Sequence, residues 1–165
     1  MLSKSAGSDR ATSWWLTSTA ASDFLNALGR VSAASHEAAG APPDVVVMAP
    51  RRWRWLLANA GDRAAAVTQA TDAGPVAGYC LGMAVVESPS VPLTASTDQD
   101  RVLVLRREDT YLAESPATVE VVTDAANQAS NLHSRVRVRR YFAVGSFRPA
   151  GVYVINGAGL ANPYT

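Results

Sequence analysis

Asp44-Val-Val-Val-Met-Ala-Pro-Arg-Arg-Trp-Arg-Trp-Leu-Leu57 is the stretch whose reading decides the fold. Val45 to Met48 is a short, unbroken, β-branched apolar run. Such a run marks a strand covered on both faces. Pro50 has no N–H to give to a ladder, yet it suits the first turn of a helix, where that N–H would go unused. From Arg51 the period changes. Trp53, Leu56, Leu57 and Ala60 fall at i, i+3, i+4, i+7 and form one apolar helix face. Arg51, Arg52 and Arg54 lie off that stripe, with Trp55 beside them and partly exposed. A central strand feeding directly into an amphipathic helix is a core unit of a mixed α/β layer.

Outward from that unit, the N-terminal side supplies a second helix. Ser18 or Thr19 can cap it through a side-chain oxygen. Phe24, Leu25, Leu28 and Val31 form its buried face, Gly40 ends it, and Pro42-Pro43 forbids continuation. Before it, residues 1–13 read as a flexible lead-in, and Trp14 to Leu16 as a short strand docking on the core. On the C-terminal side, Asn59 to Pro75 reads as a long polar surface excursion, with a helical turn around Ala64 to Gln69. Val76 to Val86 is strand-like but carries Gly78 and Gly82. Ser88 to Pro92 turns the chain, and Thr94 to Asp100 reads as a polar hairpin loop. Arg101 to Arg106 is a second buried-type strand. Tyr111-Leu112 and Thr118 to Val122 are further strands, and Asp124 to Asn131 is a polar connector. Ser134 to Val144 alternates, with Arg135, Arg137, Arg139 and Tyr141 on one face and Val136, Val138, Phe142 and Val144 on the other. Gly151 to Ile155 is a last apolar strand, followed by a tail from Gly157. The expected class is α+β: a central mixed sheet flanked by two principal helices. One domain is expected over 14–160, with 161–165 as tail.

Composition narrows the function. A net charge of +1 gives no global field toward nucleic acid or an anionic membrane. No apolar run approaches the ~20 residues needed to cross a bilayer, and the first dozen residues carry no secretory core. Cys80 is the one cysteine, so no intramolecular disulfide and no Cys-based zinc site can form. His36 and His133 are far apart and match no metal spacing, so no metal and no cofactor are expected. Gly157-Ala-Gly159 and Gly78 to Gly82 do not sit between a strand and a long helix, as phosphate cradling requires. No catalytic residues are assigned. Cys80 with a histidine remains the enzyme alternative, although its apolar neighbours suit an inert thiol better. The Arg135, Arg137, Arg139 stripe leaves three readings open: nucleic-acid phosphate contact, pairing with carboxylates such as Glu114 and Glu120, or a solvated edge face.

Several segments, taken in order, resemble tailed-phage major capsid proteins. These have the Johnson fold (Hong Kong 97-type), shared with encapsulins. The segments are the helix Thr19 to Ala38, the valine strand with Pro50 and Arg51-Arg52-Trp53, then Gly78 to Pro89, Arg101 to Glu114, and Arg135 to Ile155. The match runs from about Trp15 to Leu160 and is similar to the axial domain plus returning peripheral-domain strands, the C-terminal half of such a protein. Nothing before Trp14 matches the family's extended arm, hairpin loop or spine helix. Lys4 does not resemble the family's cross-linking lysine. The resemblance implies a structural shell subunit rather than an enzyme. Its partners would be copies of itself around a capsomer axis and other phage shell proteins, with no membrane and only indirect contact with nucleic acid. Its place would be a virion capsid assembled in the bacterial cytoplasm. The expected subunit-contact residues are Asp62, Arg63, Gln69 and Asp72 in the excursion, and Arg135, Arg137 and Arg139 on the alternating strand.

Overall fold

The computed structural model describes residues 2–5, 12–72, 74–92, 99–122 and 135–161. The chain divides into two compact units, residues 1–109 with 146–165, and Thr110–Gly145. In the first unit, among the described residues, eight strands form one mixed sheet. They are β1 (Leu2–Ser5), β2 (Thr12–Leu16), β3 (Val45–Met48), β4 (Val67–Gln69), β5 (Gly78–Cys80), β6 (Met83–Glu87), β7 (Val102–Leu105) and β12 (Tyr153–Asn156). Their order is β1-β2-β12-β7-β3-β6-β5-β4. The two helices are α1 (Ala21–Ala39) and α2 (Pro50–Asn59). The second unit holds β8 (Thr110–Glu114), β9 (Thr118–Val122), β10 (Arg135–Arg139) and β11 (Phe142–Ser146), with β11 crossing its boundary.

β3 lies inside the sheet, parallel to β6 and antiparallel to β7. Val45, Val46 and Met48 are buried and Val47 half-buried, the near two-sided burial that an unbroken valine run suggests. Pro50 opens α2 as expected. Trp53, Leu56 and Ala60 enter the core, and Leu57 packs against it. From α1, Phe24, Leu25, Leu28 and Val31 join the same core. Phe24 meets Trp55 edge to face, with ring centroids 6.4 Å apart. Gly40 ends α1 in the left-handed region, its N–H donating to the His36 carbonyl at 2.8 Å. The start of α1 differs from expectation. Ala20 is the cap residue, with no side-chain capping bond, and the Ser18 hydroxyl accepts the Ala20 N–H instead.

Arg52, assigned by its spacing to the polar side of α2, is only 1% exposed. Helical period alone does not reveal the reason, which is a buried carboxylate. Asp100, expected in a polar hairpin loop, is 0% exposed. It accepts from Arg52 Nε at 2.9 Å and from Arg51 Nε at 2.7 Å. Arg52 also donates to the Ala161 carbonyl at 2.6 Å, and its guanidinium lies 4.9 Å from the Trp55 ring centre. Residues 93–98 of that loop lie outside the described residues.

Other expectations shift for similar reasons. Leu2–Ser5, read as lead-in, pairs with β2, which itself runs parallel to β12. Of the helical turn expected over Ala64 to Gln69, residues 64–66 do end the 3-10 turn Gly61–Ala66, while Val67–Gln69 is an edge strand whose register sets buried Val67 opposite Cys80. Val76 to Val86 is a β5–β6 hairpin rather than one strand. Leu81 (φ 52°) and Gly82 (φ 80°) make the paired positive-φ turn that suits a two-residue hairpin. Gly78 is forced by crowding: a Cβ there would lie 2.3 Å from the Thr68 carbonyl oxygen and 2.5 Å from the Trp53 ring. Leu160 is fully buried, so the segment from Gly157 to Ala161 is packed structure, with Ala161 bridging Gln99. Residues 162–165 and the expected connector Asp124 to Asn131 lie outside the described residues.

Two outcomes follow from this core. Asp100→Asn removes the buried carboxylate that Arg51 and Arg52 share and should cost about 3–5 kcal/mol in a denaturant titration. A loss below ~1 kcal/mol would show that the clamp is not structural. Cys80 is fully buried, and burial pushes its thiol up from 9.0 to about 12. The unfolded chain therefore gives up that proton first. Stability should fall as pH climbs from about 9 toward 12. Cys80→Ala should flatten that part of the stability profile, and an unchanged slope would refute the assignment.

Candidate functional site

Among the described residues, the first unit has a cavity of about 330 Å³. It opens where the first turns of α2 pass the end of β6 and the segment after β4. Trp53 and Leu57 give it apolar wall. Arg54, Gln69, Asp72 and Glu87 give it polar groups. Backbone register explains how Glu87 arrives. β6 runs parallel to β3 with Glu87 beside Met48, so its side chain emerges next to the Pro50 turn. Gln69 is carried by the edge strand β4, and Asp72 follows three residues later. Among the described residues, Arg54, Asp72 and Glu87 have no ion-pair partner. Three charged groups therefore converge on one cavity without satisfying one another.

Of the contact residues expected in this region, the structure brings Gln69 and Asp72 to the cavity and leaves Asp62 and Arg63 outside its lining. Those two sit on the exposed 3-10 turn Gly61–Ala66. There Arg63 donates to the Asn26 side-chain oxygen at 2.6 Å and ties the turn to α1. Arg54 and Glu87 are the site residues that sequence reasoning missed. Arg54 had a visible signal, since it lies off the apolar stripe of α2. Glu87 had none, because its place depends on the register of β6 against β3.

The second unit holds the arginine strand. β9 and β10 form an antiparallel ribbon that sets Arg137 opposite Glu120 and Val136 opposite Val121. Arg137 and Arg139 each reach within 3.9 Å of Glu120, and Arg140 pairs with Glu114. Arg135 stands opposite Val122 in the register. The pairing reading of the stripe thus holds for Glu120, while Glu114 is engaged by Arg140 instead. Exposed pairs of this length are worth at most ~1 kcal/mol. The opposite face of the ribbon is apolar and open: Val119, Val121, Val136 and Val138 are each 59–64% exposed. β8 pairs with β11, and the Tyr111 ring lies over Gly145, where a Cβ would meet its hydroxyl oxygen at 2.5 Å.

Among the described residues, Cys80 and His36 do not form a catalytic pair. The Cys80 thiol is fully buried and protonated at neutral pH, so it is a poor nucleophile. His36 is exposed on α1, and His133 lies outside the described residues. Among the described residues, no cluster of three or more His, Cys, Asp or Glu side chains could hold a metal ion, and no helix is long and apolar enough to cross a membrane.

No protein-family model and no curated protein sequence matches the chain. Solved structures do. A structure from Mycobacterium phage Che8 superposes with a TM-score of 0.59 at 20% identity, covering 93% of this chain and 55% of the other. The holo-SrpI encapsulin complex from Synechococcus elongatus PCC 7942 superposes with a TM-score of 0.56 at 12% identity, covering 96% of this chain and 55% of the other. The chain spans about half the length of each. At such identities the likeness carries the fold: this chain has the α+β architecture, built on one large mixed sheet, of a phage protein and an encapsulin.

Proposed function

We propose that the chain is a structural subunit of a tailed-phage or prophage capsid shell, similar to a major capsid protein, that packs against copies of itself around a capsomer axis. In this reading the first unit is the axial domain, and the Thr110–Gly145 unit corresponds to returning peripheral-domain strands. The shell would be a virion capsid assembled in the host cytoplasm. Likeness in fold to a phage protein and an encapsulin supports the class. Asp62, Arg63, Gln69, Asp72, Arg135, Arg137 and Arg139 are the proposed contact residues.

The observation that carries the proposal is the open valine face of the β9–β10 ribbon. A two-stranded ribbon is at best marginally stable alone in water and needs a covered apolar face. Covering four valines that are each more than half exposed yields roughly 1 kcal/mol apiece. That sum outweighs what the Arg137 and Arg139 contacts with Glu120 supply on the other face. In a shell, a neighbouring subunit provides the cover.

The test is assembly across concentration, followed by light scattering. The wild-type chain should form large species as concentration rises. Val121→Asp/Val136→Asp, which sets two carboxylates on the apolar face, should stay small. Its near-ultraviolet circular dichroism, reporting buried Trp53, should be unchanged. Equal assembly by both proteins, or a wild-type monomer at every concentration, would count against a shell role.

A further inference from the structure

We propose that the cavity beside β4 is a socket for one arginine side chain of a second copy of this chain, carried on an extended segment that pairs with the free edge of β4. The inference rests on the shell reading for the source of the arginine. Three features of the first unit lead to it.

The first is charge. Asp72 and Glu87 face the cavity together with Arg54, a balance of two negative groups to one positive, and none has an ion-pair partner among the described residues. One added guanidinium neutralises the set and gives the carboxylates charge-assisted donors. The second is shape. About 330 Å³ admits a single long side chain, and Trp53 and Leu57 offer an apolar wall for its methylene stem while its head reaches the carboxylates.

The third is the strand edge. Bonds from Leu81 N–H to the Ala66 carbonyl and from Ala70 N–H to the Ala77 carbonyl fix which residues of β4 face β5. By antiparallel alternation, the main-chain groups of Gln69 and the Val67 carbonyl point the other way. Among the described residues, no strand pairs with that edge. The edge can therefore take up an extended segment through its backbone while the cavity reads one side chain, the usual division of labour in strand addition. A second copy can supply the cation. β10 (Arg135–Arg139) is extended, is paired by β9 on one side only among the described residues, and sets Arg137 between Val136 and Val138, where its exposed 3.9 Å contact with Glu120 is weak enough to exchange.

The probe is the blocked tripeptide acetyl-Val-Arg-Val-amide, titrated into the full chain and followed by backbone amide and indole shifts. The control peptide carries citrulline, a neutral isostere, in place of arginine. The arginine peptide should give saturable shifts at the Gln69 amide and the Trp53 indole. The citrulline peptide, and the arginine peptide on Asp72→Asn/Glu87→Gln, should bind roughly ten-fold more weakly or worse. Equal binding of both peptides, equal binding by the variant, or no shift at the cavity overturns the socket. The same variant should lower the assembled fraction in light scattering. Peptide binding with unchanged assembly assigns the socket to another basic partner and overturns the second copy as occupant. A wild-type chain that never assembles overturns the shell reading and that occupant with it, while the peptide arm still reads the socket itself.

Discussion

The Asp100 carboxylate, wholly buried against Arg51 and Arg52, is the contact on which the first unit depends. The first turn of α2 carries two arginines, no acidic residue and no side-chain cap. Positive charge at a helix N-terminus opposes the helix dipole. Asp100 supplies the missing negative charge from a position about fifty residues later in the chain. Arg52 also holds the Ala161 carbonyl, so one guanidinium joins the start of α2 to both later segments. Removing a partner from such a cluster costs more than the cluster contributes net, because the remaining charge stays buried. The valine strand and tryptophan helix sit in the core partly because this polar knot fixes where α2 begins.

Local chemistry made much of the fold legible. The β3–Pro50–α2 unit, the apolar face of α1, the Gly40 stop and the two faces of β10 all follow from periods of 2 and 3.6 residues and from the backbone limits of proline and glycine. What escaped depends on partners distant in sequence. Asp100 looked like a loop residue because nothing near it shows Arg51 and Arg52. Val67–Gln69 looked like part of a polar excursion because a three-residue strand has too little period to read. The β5–β6 hairpin looked like one strand because its turn is Leu81-Gly82 rather than an Asn-Gly pair. The lining of the cavity was half legible. Gln69 and Asp72 reached the cavity, but Glu87 could be placed there only through the parallel register of β6 with β3.

The two units divide the physical burden unequally. The first has two helices packed with the sheet into one apolar core and the Arg52–Asp100 pair buried beside it. The second is made of paired strands with apolar side chains in the open, Phe142 and Val144 as well as the four ribbon valines. In the proposed shell role, a neighbouring copy would cover those apolar side chains. The chain shares its fold with a phage protein and an encapsulin, and its Cys80 thiol is buried and protonated at neutral pH.

The central claim is that the open strands of this chain are surfaces between copies. Electron cryomicroscopy of the chain at assembling concentration tests it most directly, because it shows what lies against Val119, Val121, Val136 and Val138. The account predicts symmetric particles in which a neighbouring subunit covers that face. Particles that leave the valines in solvent, or a lone chain whose ribbon folds back on its own first unit, would contradict it.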